Sequence, residues 1–277
     1  MAEGESRKKS RNVSDKPASW PDVLRIIQSA PCNELQLQRI GTTCLVDADT
    51  QMLEMSNGLT LTGECWGRKF GCTVEVESAA DFFSRRSNSL TAVLPPNETK
   101  TSETPSSPES DEPALSVPPA PNLPKAYGIR HDFIHWTLAE LLARPDIIGA
   151  AQRIRSALNV NGCLVLTIPV RVGVKASPSV AEFYSTLTDA PLMQPQEVSS
   201  ALEEGGFEPL AVEFSPNRQA LARYKMIIST LNRIPNVQRR EIDRWSRESK
   251  LFLKEGGVSF FPTAIFVARR WEYVDGS

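Results

Sequence analysis

Apolar and polar positions follow two alternating periods in the second half of the chain. Within residues 145–158 the apolar positions recur at spacings of four, three and four, and so share one face of a helix: Ile147, Ala151, Ile154 and Leu158. Gly162 supplies a left-handed stop for this helix. Residues 163–168 then read CLVLTI, the pattern of a strand that is buried on both faces.

The same alternation repeats toward the C-terminal end. Residues 194–204 predict a helix with one apolar face, and residues 207–214 predict a strand. Two helices are expected within 220–254. Residues 256–270 predict a last buried strand, which begins near Pro262 because proline is poorly tolerated inside a central ladder. This order of elements is typical of a layered α/β fold.

Two segments lack apolar periodicity and are predicted to be disordered. Residues 1–19 are polar and charged, and about residues 88–124 the chain concentrates Pro, Ser, Thr and acidic residues. Neither segment offers enough apolar surface to offset the entropy lost on ordering. We therefore expect one domain over 20–275, interrupted by the insertion at 88–124.

Composition narrows the class of partner. The net charge is -2, which gives no general attraction to nucleic acid or to an anionic membrane, so a small molecule or a protein is the expected partner. No apolar run approaches the roughly 20 residues of a membrane span, and no secretory signal is evident, which predicts a cytosolic or nuclear protein. The basic run at 7–11 is compatible with a nuclear address or, more simply, with a solvated tail.

Metal and common catalytic motifs are not evident. The five cysteines are scattered without C-x-x-C pairing, which argues against a disulfide framework and a zinc site. His131 and His135, if both lie on a strand, are about 13 Å apart and too distant to share an ion. No G-x-S-x-G, P-loop or G-x-G-x-x-G motif is present, so hydrolase, NTPase and dehydrogenase functions lack their usual residues.

Four stretches resemble class I S-adenosylmethionine-dependent methyltransferases. HDFIHWTLAELL and LNVNGCLVLTIP are similar to the fourth and fifth strands of that family with the helix between them. QEVSSALEEGGFEPLAVEF resembles the next helix and sixth strand, and SFFPTAIFVARR the closing antiparallel strand. The resemblance covers about half of the chain. It implies a Rossmann-like, seven-stranded, mostly parallel doubly wound sheet with helices on both faces.

The resemblance places the first strand and its ligand loop at residues 23–32. There the family has an acid followed by Gly-x-Gly-x-Gly, whereas this segment contains no glycine and carries Arg25 near the position of the acid. Ser29 falls within the implied loop and is a candidate donor contact. Because a side chain prevents close approach of the backbone, the donor's access is expected to be altered.

The resemblance places the second strand within residues 44–53. Asp47 would be the acid that accepts both ribose hydroxyl protons of S-adenosylmethionine, with Ala48 beside it. An aspartate that stabilises a turn or caps a helix would have the same sequence signature.

The third strand and its adenine loop are implied at residues 71–81. The family's usual aspartate falls at Ser78, next to Ala79, so both become candidate donor contacts. Glu77 or Asp81 is the nearest substitute for the missing carboxylate.

His135 and Trp136 fall at the C-terminal end of the implied fourth strand, the edge at which open α/β sheets bind their ligands. His135 is the candidate general base, or else a hydrogen-bonded histidine at a strand end. Trp136 is a candidate donor contact, or else a side chain that packs against the covering helix.

Two functions from different classes are compatible with these residues. The first is a methyltransferase that uses S-adenosylmethionine, acts on a small-molecule acceptor by in-line transfer, and needs no metal. The second is a pseudoenzyme that keeps the fold but has lost the donor, and serves as a scaffold or regulatory subunit of a protein complex.

Overall fold

A computed structural model describes residues 17–91, 130–137, 144–173, 176–185 and 192–272. Most of the predicted N-terminal tail and residues 92–124 of the predicted insertion lie outside these ranges. Residues 88–91, which were assigned to the insertion, belong to a helix.

Six strands form one sheet in the order β2-β1-β3-β4-β6-β5. The strands are β1 (Gln51–Met55), β2 (Thr73–Glu77), β3 (His131–Thr137), β4 (Leu158–Pro169), β5 (Phe207–Phe214) and β6 (Thr263–Arg270). β2, β1, β3 and β4 run parallel, and β6 runs antiparallel to both β4 and β5. The described residues therefore contain six strands rather than the predicted seven.

Ten helices connect or cover these strands in the described residues. They are α1 (Trp20–Ile27), α2 (Glu34–Thr43), α3 (Leu61–Phe70), α4 (Ala79–Thr91), α5 (Arg144–Ala157), α6 (Pro178–Ser185), α7 (Pro195–Glu204), α8 (Asn217–Leu231), α9 (Arg239–Lys254) and α10 (Gly257–Phe260). The two helices predicted within 220–254 are confirmed as α8 and α9.

Helices cover both faces of the sheet. Leu164 and Leu166 of β4 belong to a core with α4, α5 and α7, while Cys163 and Val165 belong to a core with α2 and α3. Because successive side chains of a strand point to opposite faces, residues 163–168 of β4 must be largely apolar on both sides to bury both faces. This explains the continuous run CLVLTI.

A third core lies among the helices. Val23 of α1, Ile227 of α8 and Trp245 of α9 are buried together in it, with α6 and α10 contributing further apolar residues. The charged, strongly amphipathic sequence of α9 turns its apolar stripe toward this core. The helices that follow β5 are thereby joined to α1 at the other end of the chain.

The strand predicted at residues 23–32 is wrong, because the chain forms α1 there. Ser19 and Asp22 form a capping box, in which the Ser19 N–H donates to Asp22 Oδ2 at 2.8 Å, and Pro21 lies in the first turn. Val23 and Ile26 are three residues apart and share the buried face. The N-terminal cap and the helical spacing of the apolar residues therefore determine the structure of VLRII, although its β-branched residues favour a strand.

The order predicted within residues 44–53, a strand followed by a turn, is also wrong. Residues 44–50 form a turn, with Leu45 at φ +56°, and the strand begins at Gln51. At the start of β4 the difference is smaller, since residues 158–162 join the strand instead of forming a turn after α5. The first two differences move the loop after the first strand of the sheet from the predicted range of 23–32 to residues 56–60.

Replacing Ile154 with alanine tests the α5 core. Ile154 is fully buried in the core that joins α5 to the sheet. Ile154→Ala should lower the free energy of unfolding by about 2–5 kcal/mol, because it removes buried apolar surface and leaves a cavity. Urea denaturation followed by circular dichroism measures the change. Val160→Ala is the control: Val160 is 47% exposed, so a change above about 0.5 kcal/mol there would contradict this account.

Candidate functional site

The strand order indicates where a candidate ligand site lies. From β1 the chain passes through α3 to β2 on one side, whereas β3 lies on the other side of β1. The connections therefore diverge between β1 and β3, and the crevice outside the carboxyl ends of strands at such a point is the usual ligand site. The segments at this edge are residues 56–60 after β1, Ser78 after β2, and the last residues of β3.

The loop after β1 contains small residues at alternating positions. It reads Ser56-Asn-Gly58-Leu-Thr60 and follows Glu54 in the strand. Gly58 has φ +131°, a conformation that favours glycine, and no described atom lies within 4 Å of the position a Cβ would take. The Ser56 hydroxyl donates to the Gly58 carbonyl at 2.7 Å. The loop thus keeps one glycine, beside open space at the crevice.

Glu54 and His135 form a buried pair beneath this loop. Each side chain is 1% exposed, and His135 Nδ1 lies 3.3 Å from Glu54 Oε1. The Thr60 hydroxyl donates to Glu54 Oε1 at 2.5 Å, and the Thr60 N–H donates to Glu54 Oε2 at 2.9 Å. One carboxylate therefore connects β1, the loop and β3.

The surroundings of Glu54 favour its charged form. Burial alone would raise the pKa of its carboxyl, but the hydrogen bond and charge of His135 and the two bonds from Thr60 lower the pKa below its usual value. A Cβ on Gly63 would lie 2.3 Å from Glu54 Oε2, so the first turn of α3 approaches the carboxylate closely. The positive end of the helix dipole adds to the stabilisation of the anion.

His135 is held at both ring nitrogens. Nδ1 faces Glu54, and Nε2 lies 3.4 Å from the Thr137 hydroxyl in the same strand. This arrangement favours the hydrogen-bonded histidine over the predicted general base, because neither nitrogen is directed at the open part of the crevice. The ring positions the end of β3 relative to β1.

The residues after β2 reach the same edge. The Glu77 carbonyl accepts a hydrogen bond from the Ser56 N–H at 2.9 Å, and its carboxylate forms an ion pair with Arg85. Ser78 caps α4, since its hydroxyl donates to Asp81 Oδ2 at 2.6 Å and accepts from the Asp81 N–H. Ala79 is the first residue of α4. The Glu77 carboxylate therefore lies at the end of β2, the strand next to β1 and its loop.

The Trp136 side chain lies in the hydrophobic core. It is buried, and its ring packs edge-on against Phe83 of α4 with the centroids 5.4 Å apart. The structure thus supports the alternative that was open for this residue, packing against a covering helix.

Asp47 and Ala48 lie at the opposite edge of the sheet. They precede β1, and Asp47 Oδ1 accepts hydrogen bonds from the Asp49 N–H at 3.0 Å and the Thr50 hydroxyl at 2.9 Å. Asp47 is therefore a turn aspartate. The structure does not bring it or Ala48 to the crevice, and the expected contact of these two residues with a ribose has no support from their position.

The end of α1 closes over the loop. Gln28 Oε1 accepts from the Asn57 N–H at 2.9 Å, and the Ser29 hydroxyl accepts from the Leu61 N–H at 3.0 Å. The Ala30 N–H donates to the Thr62 hydroxyl at 2.9 Å. Ser29, predicted as a loop residue, thus contacts the loop from outside. We call residues 28–30 the α1 latch.

Sequence reasoning missed the residues that form the loop. Its acid is Glu54, and Ser56, Gly58 and Thr60 stand at the spacing of a Gly-x-Gly-x-Gly pattern. The signal was a short segment with three apolar residues and one acid, Met52-Leu-Glu-Met55, followed by Ser-Asn-Gly. Glu77 was named as a substitute carboxylate for a third strand, and it lies instead at the end of the second strand in the chain.

Solved structures with this architecture are known. A methyltransferase from Geobacter sulfurreducens in complex with S-adenosylhomocysteine is similar over 92% of this chain and 100% of its own, with a TM-score of 0.58 and 11% identity. A cyclopropane synthase from Mycobacterium tuberculosis is similar over 95% of this chain and 99% of its own, with a TM-score of 0.56 and 12% identity. The chain has the fold of class I methyltransferases.

This fold is not restricted to methyl transfer. A 4+2 cyclase is similar over 90% of this chain and 92% of its own, with a TM-score of 0.52 and 14% identity. No family model matches the sequence, and no curated protein does. Among the described residues, no helix is long and apolar enough to cross a membrane, and no group of three or more His, Cys, Asp or Glu could hold a metal ion.

Replacing Glu54 with glutamine tests the buried pair. Glu54→Gln should lower the free energy of unfolding by about 1–3 kcal/mol at pH 7, since the His135 ring and Thr60 lose a charged partner. The pKa of Glu54 is lowered by folding, so its stabilisation is complete above about pH 5 and declines as the pH falls below 4.5. Urea denaturation between pH 3 and pH 7 should show this decline in the wild type and a smaller one in the variant.

The matched control is Glu203→Gln, because Glu203 is an exposed carboxylate at the end of α7. It should leave both the stability at pH 7 and the slope with pH unchanged within about 0.5 kcal/mol. If the free energy of unfolding declined equally with pH in the wild type and in Glu54→Gln, the claim that folding lowers the pKa of Glu54 would be contradicted.

Proposed function

We propose that the protein binds S-adenosylmethionine in the crevice between β1 and β3 and transfers its methyl group to a small-molecule acceptor. The observation that carries this proposal is the placement of Glu54, the Ser56–Thr60 loop and Glu77 at one edge of a sheet with the methyltransferase strand order. Similar structures are described as methyltransferases, one of them in complex with S-adenosylhomocysteine.

The residues at the crevice fit such a donor. No described atom lies within 4 Å of the position a Cβ would take at Gly58, so a ligand can approach the backbone closely there. The two oxygens of Glu77 can accept both ribose hydroxyl protons, the role that the sequence had given to Asp47. Arg85 now pairs with Glu77, but its side chain is 72% exposed and can turn into solvent. Glu77 would therefore hold the ribose and the loop would contact the rest of the donor.

The donor supplies an electrophilic methyl group on a positively charged sulfur. The protein's contribution is orientation, which can provide up to about 7–11 kcal/mol of the barrier when the reacting groups are aligned. Glu54 and His135 serve this purpose by fixing the ends of β1 and β3 relative to each other. In this proposal both are positioning residues, and no side chain is assigned as a general base.

A donor-free scaffold remains the second candidate, and the hydrogen bonding of the loop favours it. Protein groups already accept from these loop and helix N–H groups: Ser56, Asn57, Thr60, Leu61, Thr62 and Gly63. A ligand that needs the Asn57 or Leu61 N–H must displace Gln28 or Ser29. If nothing displaces them, the edge is a packed interior and the fold serves for its shape.

Calorimetric titration with S-adenosylmethionine and S-adenosylhomocysteine distinguishes the two candidates. The proposed function predicts binding of both, and Glu77→Ala should weaken it about tenfold or more because a charged hydrogen-bond acceptor is lost. Glu75→Ala is the matched control, since Glu75 lies on the same strand, two residues farther from the edge. Asp47→Ala should also leave the affinity within about twofold. Lack of binding at millimolar ligand would favour the scaffold.

Removing the α1 latch gives a second test. The double variant Gln28→Ala, Ser29→Ala frees the Asn57 and Leu61 N–H groups without touching Glu77. If these groups contact the donor, the variant should bind S-adenosylhomocysteine about tenfold more tightly, because less protein contact must be broken. Titration calorimetry measures the change, and Gln38→Ala on α2 is the control. An unchanged or weaker affinity would mean that the latch does not compete with the donor.

A further inference from the structure

A cavity lies beside the loop, between the end of α1, the start of α3 and α8. Its volume is about 160 Å³. Much of its wall is apolar or weakly polar, with contributions from Ile26, Leu37, Leu61, Cys65, Ala222 and Met226. Leu61 and Thr62 directly follow Thr60, so this wall begins where the proposed donor loop ends.

Arg223 brings a positive charge to this wall. Its Nε donates to the Ile26 carbonyl at 3.4 Å, and Nη2 donates to the Ile27 carbonyl, both at the end of α1. Among the described residues it forms no ion pair with a carboxylate. The nearby Glu248 instead accepts a hydrogen bond from the Tyr224 hydroxyl at 3.0 Å, and burial raises the pKa of Glu248.

The charge of Arg223 is therefore only partly compensated. Burial lowers the pKa of its guanidinium, and the nearby Glu248 offsets only part of this effect. A guanidinium can donate five hydrogen bonds, and two main-chain carbonyls use part of that capacity. A carboxylate matches the remaining donors in both charge and planar geometry.

We propose that this cavity binds a small apolar carboxylate, with its carboxylate on Arg223 and its hydrocarbon part against Ile26, Leu61 and Met226. The small volume selects a short chain or a single ring over a long acyl group. Because the wall continues into the loop after β1, the bound molecule would lie next to the proposed donor. Its use as the methyl acceptor rests on the proposed function, whereas its binding does not.

The test uses hexanoate and its neutral isostere hexanamide, titrated into the full chain by calorimetry without a methyl donor. Hexanoate should bind, and hexanamide should bind at least about tenfold more weakly, since it lacks the charge that Arg223 pairs with. Arg223→Met should remove this preference while keeping the apolar stem. Lys225→Met, an equal loss of charge at an exposed position of α8, should retain it.

Two further variants keep the proposal testable if Arg223→Met fails to fold. Arg223→Lys keeps the charge and should restore most of the preference for hexanoate. Ala222→Trp fills the cavity from an exposed helix position and should abolish binding of both probes. Equal affinity for the two probes, or binding that survives Ala222→Trp in a folded protein, would overturn the proposal. If the protein bound hexanoate but not S-adenosylmethionine, the carboxylate site would be supported and the proposed function would be rejected.

Discussion

A buried carboxylate at the end of β1 organises the carboxyl edge of the sheet. An ionised group out of contact with water is tolerated only when hydrogen bonds and opposite charge replace its hydration. Glu54 obtains these from Thr60 in the loop and from His135 in β3, and the first turn of α3 packs closely against it at Gly63. Each partner belongs to a different element, so satisfying one side chain fixes the relative position of all three.

These hydrogen bonds explain how the loop can form with only one glycine. Ser56 and Thr60 carry side chains, but both turn their hydroxyls back onto the protein, Ser56 to the Gly58 carbonyl and Thr60 to Glu54. Glycine is retained at position 58, where φ is positive and the space in front of the backbone is open. The hydroxyl groups of the loop are therefore used in internal hydrogen bonds, while the backbone at Gly58 stays open.

The sequence predicted the C-terminal half of the fold well and the candidate site poorly, for identifiable reasons. Five elements of this half have a long apolar pattern that fits either a helix or a strand, but not both: α5, β4, α7, β5 and β6. In the N-terminal half, β1 has five residues and includes a buried acid, so its pattern is short and interrupted. VLRII has the composition of a strand, and its helical state depends on the cap at Ser19 and on packing against α8, which is nearly 200 residues away. Glu54 and His135 are 81 residues apart in the chain, so no local sequence pattern predicts that they form a buried pair.

The end of α1 connects the loop with the cavity, and this has a physical consequence for either function. The Ile26 and Ile27 carbonyls accept from Arg223, while Ser29, two residues on, accepts from the Leu61 N–H of the loop. A ligand that draws the guanidinium away would remove two hydrogen bonds from the helix end that leads to Ser29, and a ligand that displaces Ser29 would act on the same segment. Linkage requires such an effect to be reciprocal. In an enzyme it would couple acceptor to donor; in a scaffold it would let a small carboxylate alter the surface that α1 and α8 share.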